Sequence, residues 1–238
     1  MNIFVTGTDT DVGKTLVCSW LCLHTQADYW KPIQCGTTPT TDSETVAQLS
    51  GVKTWPETYR LQLAASPHLA AAGEEVTINT ADCQLPTPSP SRGGLGWGWG
   101  SAAHDETPSP PPTLPLKGRE ESALRGLVIE GAGGLLVPLN GHETVLDLIA
   151  HLQAPVLLVA RSTLGTINHT CLSLQALHAR NVPVLGVVMC GPQHADNKAA
   201  IEHYGKTKVL AEFPLLNEIT RAALQNIPLP ETLRLQLT

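Results

Sequence analysis

The sequence predicts a doubly wound α/β domain, in which a mostly parallel sheet is flanked by helices on both faces. Continuous apolar runs bounded by glycine or proline alternate with segments of helical period, and such runs suit strands that are buried on both faces. Residues 2–15 read as a short strand, a polar loop with glycines at its ends and the start of a helix, which is the arrangement of a phosphate-binding loop. The length of 238 residues fits one such domain.

The order of elements follows from where apolar runs and helical spacing alternate. Helices are expected where a capping residue precedes the helical period, as Asp42 and Ser66 do, and Pro67 suits the first helical position. The predicted strands cover residues 2–7, 28–33, 127–129, 156–160, 184–189 and 208–211. The predicted helices cover residues 15–24, 42–50, 143–153 and 167–180, with a further short helix from residue 67.

The loop at residues 7–15 departs from the standard pattern at one position. In the pattern G-x-x-x-x-G-K-[ST] the first glycine would occupy position 8, but Thr8 stands there and the glycine is Gly7. The loop therefore predicts a variant P-loop NTPase fold. Its N–H groups would bind a polyphosphate, Lys14 would neutralise the β and γ phosphates, and the Thr15 hydroxyl would ligate Mg²⁺. A chance Gly-Lys-Thr in a surface turn is the alternative, which the apolar strand before it disfavours.

A second candidate residue, Glu130, follows the apolar run that begins at Leu127, and glycines come directly after it. Ligands of open α/β sheets bind at the carboxyl ends of the strands, so an acidic residue there would face the Mg²⁺ beside a phosphate loop. The glycines would let the backbone approach the nucleotide closely. Taken alone, Glu-Gly-x-Gly-Gly also fits a tight turn without a ligand, but its combination with the loop at residues 7–15 favours a functional site.

Composition and charge exclude several classes of function. Fifteen basic and 21 acidic residues give a net charge of −6, which argues against a broad nucleic-acid-binding surface. No apolar run approaches the ~18 residues of a membrane span, and no leader pattern opens the chain, so we expect a cytoplasmic protein without membrane contact. The six cysteines form no C-x-x-C and the nine histidines no H-E-x-x-H. Free thiols and the absence of a structural metal are the expectation.

One stretch, residues 86–122, interrupts the alternation of strands and helices. Proline and glycine supply 14 of its 37 residues and no apolar period is present, so both helix and sheet are disfavoured. We expect a disordered or loosely held insert within a single domain over residues 1–238, because a longer loop adds closure entropy only slowly. The P-x-P runs with Trp97 and Trp99 leave open a second interpretation, docking to an aromatic groove of a partner.

Excising residues 87–122 is expected to leave the fold intact, because the flanking segments would then form an ordinary helix-to-strand connection. Thermal unfolding of the shortened chain should remain a single cooperative transition. A shortened chain that melts without cooperativity would show that the insert contributes to the core.

Five segments occur in the same order as in the dethiobiotin synthetase family, and the sequence resembles that family, whose members are ATP-dependent carboxylases of biotin biosynthesis. The segments are residues 5–15, Lys31-Pro-Ile, Ser66-Pro-His, residues 128–134 and Leu-Gly-Thr-Ile-Asn-His at residues 164–169. The resemblance covers most of the chain outside residues 86–122. It is specific, since partitioning ATPases and cobyrinate amide synthases share the loop but are not expected to carry the second and fifth segments together.

The resemblance implies a reaction and two cofactors. Members of the family convert 7,8-diaminopelargonate, CO₂ and ATP into dethiobiotin, ADP and phosphate. One amine captures CO₂ as a carbamate, ATP phosphorylates the carbamate, and the second amine attacks the mixed anhydride to close a cyclic urea. ATP and Mg²⁺ are thus implied, and so is a homodimer, because the carboxylate tail of the substrate would bind across the subunit interface.

The same resemblance implies a role for each of several residues. The catalytic residues would be Lys31, Lys14 and Thr10, and the Mg²⁺ ligands would be Thr15, Asp42 and Glu130. The residues implied at the nucleotide are Asp11, Val12, Gly13, Lys14, Thr15, Leu16, Asp42, Glu130, Gly131, Ala132, Gly133, Cys190, Gly191, Pro214, Leu215 and Leu216. Those implied at the substrate are Cys35, Gly165, Thr166, Ile167 and Asn168.

Three features depart from the family pattern. Cys35 stands where the family commonly has a hydroxyl residue that contacts the substrate, and a thiol is the weaker hydrogen-bond partner. Cys190 stands where the family often places an asparagine against the adenine, so recognition of the base would rest on backbone groups. Helix 1 and its connection to Lys31 are also shorter than in many relatives.

Two further classes of protein remain open on the sequence. A nucleotide-switched protein of the partitioning type would need a basic or amphipathic surface segment to bind DNA or membrane. The excess of acidic over basic residues disfavours this class. An inactive relative that only binds ligand is suggested by Cys35, Cys190 and the insert. An ATP-dependent ligase, the leading hypothesis, requires Lys14, Lys31, Asp42 and Glu130 to converge on one cavity.

Overall fold

A seven-stranded parallel sheet forms the centre of the computed structural model, which describes residues 2–86 and 126–237. In chain order the strands are β1 (Asn2–Gly7), β2 (Asp28–Trp30), β3 (Ile33–Cys35), β4 (Thr54–Trp55), β5 (Tyr59–Leu61), β6 (Leu127–Gly134), β7 (Val156–Arg161), β8 (Val184–Cys190) and β9 (Val209–Phe213). The large sheet has the order β4-β2-β6-β1-β7-β8-β9, and β3 pairs with β5 in a small parallel sheet of its own. The predicted insert at residues 86–122 lies outside the described residues apart from Pro86, and its prediction stands as made.

Helices cover both faces of the large sheet, which confirms the doubly wound prediction. They are α1 (Lys14–Thr25), α2 (Asp42–Ser50), α3 (Pro67–Gly73), α4 (Val145–Leu152), α5 (Thr166–Ala179), α6 (Ala195–Gly205), α7 (Arg221–Gln225) and α8 (Glu231–Leu237). On β1, Ile3 and Val5 pack in the core formed with α1 and α2, whereas Phe4 packs in the opposite core with α3 and α4. Side chains of a strand alternate between faces, and here both faces are apolar because both are covered. No helix within the described ranges is long and apolar enough to cross a membrane.

The predicted strand over residues 28–33 is wrong in one respect, since it divides between the two sheets. β2 ends at Trp30, and the chain resumes as β3 at Ile33. Pro32 lies at the division, and proline has no N–H with which to continue a ladder. The Pro32 carbonyl instead accepts hydrogen bonds from the N–H groups of Thr58 and Tyr59, both at 2.9 Å, which starts the small sheet. Lys31 thus lies where the chain leaves the large sheet at its carboxyl edge.

The alternative role of Asp42 as the cap of α2 is also wrong, because the cap is Thr41. The Thr41 hydroxyl accepts a hydrogen bond from the Glu44 N–H at 3.2 Å, and the Glu44 carboxylate accepts one from the Thr41 N–H at 2.9 Å. This reciprocal pair is a capping box, which satisfies two N–H groups that the helix cannot. Asp42 is therefore the first residue of the helix, and its carboxylate is available to the site.

Replacing Thr41 by alanine is expected to lower the free energy of unfolding by about 1 kcal/mol, because the first turn of α2 loses its cap. Urea unfolding gives the measurement. Thr40→Ala is the matched control, since this neighbouring threonine is exposed and its hydroxyl donates to the Glu44 carboxylate without accepting a backbone N–H of α2 among the described residues. Equal losses in the two variants would contradict the role of the capping box.

Candidate active site

In the loop between β1 and α1, the Lys14 side chain folds back toward the backbone of the residues that precede it. The Lys14 ammonium donates a hydrogen bond to the Asp9 carbonyl at 2.9 Å. A Cβ atom at Gly7 would lie 2.7 Å from that same carbonyl oxygen, so the glycine is required at position 7 in this variant of the loop. Gly13 has φ = 97°, a conformation that side chains disfavour. Burial lowers the pKa of Lys14 below its ordinary value, and the nearby Glu130 carboxylate only partly offsets that effect.

Three oxygen atoms from separate elements meet beside this loop. The Thr15 hydroxyl on α1 lies 2.9 Å from Asp42 Oδ1 on α2 and 2.8 Å from Glu130 Oε1 on β6. One hydroxyl has a single proton to donate, so it cannot give a full hydrogen bond to both carboxylates at once. The Thr15 hydroxyl alone therefore cannot satisfy both carboxylates.

Lys31 compensates the two acids from the other side. Its ammonium lies 2.7 Å from Asp42 Oδ2 and 3.1 Å from Glu130 Oε1, and its side chain is 6 % exposed. Burial opposes the charge of Lys31, but the two carboxylates outweigh burial and hold its pKa above the ordinary value. Burial likewise opposes ionisation of Asp42, and Lys31 outweighs it, so that the Asp42 pKa is lowered. Lys31 is thus a fixed cation between two fixed anions.

The donor set of Thr15, Asp42 and Glu130 suits a hard divalent cation. Mg²⁺ prefers oxygen ligands and usually takes one or two carboxylates from the protein, with phosphate oxygens and water completing its shell. The Thr15 hydroxyl and the carboxylates of Asp42 and Glu130 match that preference. These residues would hold Mg²⁺ in the predicted way, although their role as ligands stays a prediction.

A cavity of about 860 Å³ connects these groups with the small sheet. Twelve of the predicted site residues line it: Thr10, Asp11, Gly13, Lys14, Thr15, Leu16, Lys31, Cys35, Asp42, Glu130, Ala132 and Gly133. Lys14, Lys31, Asp42 and Glu130 therefore converge on one space, as the leading hypothesis requires. The cavity extends from the phosphate loop to Cys35 and Ser66, which leaves room for a second ligand beside a nucleotide.

Two residues predicted at the nucleotide, Val12 and Gly131, are packed against the core and do not line the cavity. Val12 is 3 % exposed and packs with the side chains beneath α1. Gly131 is buried, and a Cβ atom there would lie 2.8 Å from the Phe4 ring. Both positions are adjacent to cavity residues, so only their backbone groups would be offered to a ligand.

A further predicted group lies at the ends of β8 and β9, beside the cavity. The Cys190 thiol abuts the phosphate loop, since a Cβ atom at Gly13 would lie 3.1 Å from its sulfur. Burial raises the pKa of Cys190 to about 12, so the thiol is neutral. Gly191 donates its N–H to the Phe213 carbonyl at 2.9 Å, and residues 214–216 follow directly. None of these residues lines the cavity, and their contact with a base stays a prediction.

The predicted substrate residues Gly165, Thr166, Ile167 and Asn168 also lie outside the cavity of this chain. They form the start of α5, after the end of β7, and Gly165 and Asn168 are exposed. The prediction placed them at a subunit interface, where they would serve the site of a second copy. Cys35, by contrast, lines the cavity, and burial raises the pKa of its thiol to about 11.

Several cavity residues were not predicted as site residues. They are Gln34, Gly36, Thr38, Thr40, Thr45, Leu49, Ala64, Ala65, Ser66, Pro67, Val137 and Ile219. Gln34 has a visible structural role, because its amide donates to the carbonyls of Cys35 and Gly36 and its oxygen accepts from the Asp42 N–H at 3.2 Å. Ser66 and Pro67 belong to the Ser-Pro-His segment and were thus the two members with a sequence signal.

A phosphate loop at the carboxyl edge of a parallel sheet, with two lysines and two acids around one cavity, defines a P-loop nucleotide enzyme. Comparison with known proteins agrees on this class, since a family model described as an AAA domain (AAA_26) matches residues 1–92 and 113–223. The particular family follows from the curated relatives. This chain belongs to the ATP-dependent dethiobiotin synthetase family.

The relatives cover nearly the whole chain. It is 44 % identical to the ATP-dependent dethiobiotin synthetase BioD of Lawsonia intracellularis over 98 % of each chain. The BioD protein of Paramagnetospirillum magneticum is 41 % identical over 96 % of this chain and 95 % of that protein. The biotin biosynthesis bifunctional protein BioCD of Bordetella avium is 43 % identical over 93 % of this chain, which matches 41 % of that longer protein. A ParA family ATPase from Chlorobium tepidum has only a loose likeness, with a TM-score of 0.44 and 11 % identity over 98 % of this chain and 92 % of that one.

Proposed function

We propose that the cavity beside the phosphate loop binds ATP together with 7,8-diaminopelargonate and that dethiobiotin is formed there. The chain is an ATP-dependent ligase of biotin biosynthesis, as are the curated relatives. The observation that most supports this placement of the reaction is the meeting of Lys14, Lys31, Asp42 and Glu130 at one wall of the cavity. Products of the reaction are dethiobiotin, ADP and phosphate.

Transfer of a phosphoryl group to a carbamate brings two anions together, so the site must supply positive charge. Phosphoryl transfer depends on positioning and electrostatic stabilisation rather than on covalent help. Lys14 lies in the loop and would contact the phosphates. Lys31 is held between two carboxylates and lines the same cavity as Cys35 and Gly36, where the carbamate would approach. Thr10 lines the same space and would contact the transferred group.

Lys14 and Lys31 balance Asp42 and Glu130 in charge before any ligand binds. A triphosphate would therefore bring excess negative charge, which a divalent cation held by Thr15, Asp42 and Glu130 would neutralise. When bound, Mg²⁺ supplies charge stabilisation and orientation of the phosphates. A bound triphosphate would also favour the protonated form of Lys14, against the effect of burial.

The substrate would lie on the small-sheet side of the cavity and end near a second copy of the chain. Cys35 and Gly36 line that side together with Ser66. The N–H groups at the start of α5, in residues 165–168, would bind the carboxylate tail of the substrate held by the partner subunit, since a helix N-terminus favours an anion. A homodimer is therefore part of the proposal. We also propose that the protein acts in the cytoplasm.

An assay of phosphate release with and without 7,8-diaminopelargonate and bicarbonate tests the proposal. Release that depends on the diamine, with dethiobiotin identified by mass, is the expected result. Hydrolysis at the same rate with and without the diamine would contradict the proposal and point to a nucleotide switch. A folded protein that releases no phosphate under either condition would point to a relative that only binds ligand.

A further inference from the structure

Tyr29 is a fully buried tyrosine whose hydroxyl reaches the acidic cluster. It lies on β2, is 0 % exposed, and its OH donates a hydrogen bond to Glu130 Oε2 at 2.9 Å. The other oxygen of the same carboxylate, Oε1, faces the Thr15 hydroxyl and the Lys31 ammonium. The two oxygens of Glu130 therefore have different partners.

The register of the sheet explains why Tyr29 can reach this acid. Tyr29 pairs with Val128 on the neighbouring β6, and Val128 and Glu130 lie on one face because side chains alternate along a strand. The phenol ring packs in the core beneath α1 with Val128, and its hydroxyl extends to the carboxylate two residues further along. Lys31 follows Tyr29 by two residues, so one segment of chain provides a partner for each oxygen of Glu130.

We infer that Tyr29 is a positioning residue that orients Glu130, so that Oε1 is presented to Thr15 and to a divalent cation. The terminal torsion of glutamate is broad, and loss of the Tyr29 donor would leave the orientation of the Glu130 carboxylate to the partners of Oε1, Thr15 and Lys31. A buried acceptor that loses its donor is also costly.

This inference rests on the proposed role of Glu130 as a cation ligand, and it makes a prediction that general loss of packing does not. Removing an outer partner of a metal ligand typically weakens metal affinity by about tenfold or more. The defect should therefore appear only where the cation takes part. Binding of ATP in the absence of Mg²⁺ should be nearly unchanged.

The test is isothermal titration of ATP into full-length Tyr29→Phe, once with Mg²⁺ present and once with EDTA. We expect the dissociation constant with Mg²⁺ to rise about tenfold, while the constant in EDTA stays within about twofold of that of the unsubstituted protein. An unchanged constant with Mg²⁺, or equal weakening under both conditions, would overturn the inference. If the phenylalanine variant does not melt cooperatively, Tyr29→Met removes the same donor from an apolar space and is measured in its place.

Tyr59→Phe is the matched control. The Tyr59 hydroxyl also donates to a carboxylate, that of Asp82 at 2.5 Å, and accepts from the Asn79 N–H at 3.1 Å, but Tyr59 does not line the cavity. This variant should bind ATP like the unsubstituted protein with or without Mg²⁺.

A second comparison separates this inference from the proposed function. In a Glu130→Gln background, Tyr29→Phe should add no further loss of Mg²⁺-dependent binding, because residues that act through one contact are not additive. A further loss of similar size would overturn the inference and leave the proposed function standing. If ATP binds the unsubstituted protein equally well with Mg²⁺ and with EDTA, the assignment of Glu130 as a cation ligand fails first, and the inference fails with it.

Discussion

Lys14→Ala is expected to lower diamine-dependent phosphate release by about 10³-fold, the scale seen when one preorganised donor is removed from a transition state. The ammonium is buried in the phosphate loop and holds the Asp9 carbonyl at 2.9 Å, so alanine removes both the charge at the phosphates and a contact that shapes the loop. Steady-state rates at saturating ATP give the measurement.

Lys53→Ala is the control for this change. Lys53 is exposed and lies over the Trp55 ring, with its ammonium 3.1 Å from the ring centre, and it does not line the cavity. This variant should retain the full rate. Full activity in Lys14→Ala would instead remove the phosphate loop from the mechanism.

Lys31→Met is expected to lower the free energy of unfolding by about 3–5 kcal/mol, because it leaves two carboxylates without their buried cation. Turnover should be lost as well, since the uncompensated carboxylates of Asp42 and Glu130 would repel both phosphate and carbamate. The variant has a further signature. Millimolar Mg²⁺ should raise its melting temperature more than it raises that of the unsubstituted protein, because the cation would compensate Asp42 and Glu130.

Lys198→Met provides the comparison. Lys198 pairs with Glu212 at 2.8 Å, but the lysine side chain is 37 % exposed, and exposed pairs contribute about 0–1 kcal/mol. Its unfolding should change little, and Mg²⁺ should not stabilise it selectively. A Lys31→Met protein as stable as Lys198→Met would contradict the charge balance described for the site.

The residues that sequence alone could place are those whose chemistry is local to a segment. Lys14 and Thr15 belong to one loop pattern, and Glu130 follows an apolar run. Each could be placed at the carboxyl end of its own strand, and the fold then had only to bring those two strand ends together. The long apolar runs predicted β6, β7 and β8 for the same reason. Gly7 was recognised as unusual, and the structure supplies the cause, which is the closeness of the Asp9 carbonyl.

What sequence could not place depends on neighbours from distant segments. Tyr29 reads as an ordinary strand aromatic until its register with Val128 is known. Strands such as β4, with two residues, are too short to show a period. Helix α6 was missed because only Ile201 and Gly205 of its residues are buried, so it has almost no apolar stripe. Ile219 reaches the cavity from a segment with no regular structure at all.

The break at Pro32 places Lys31 and Cys35, which both line the cavity, close to each other along the chain. Lys31 follows the last residue of β2 on the large sheet, and Cys35 is the last residue of β3 on the small sheet, so four peptide bonds join these two residues that line the cavity. A displacement of β3 and β5 on substrate entry would pull directly on the lysine between Asp42 and Glu130. We therefore expect the position of a ligand beside Cys35 and the position of Lys31 between Asp42 and Glu130 to depend on each other.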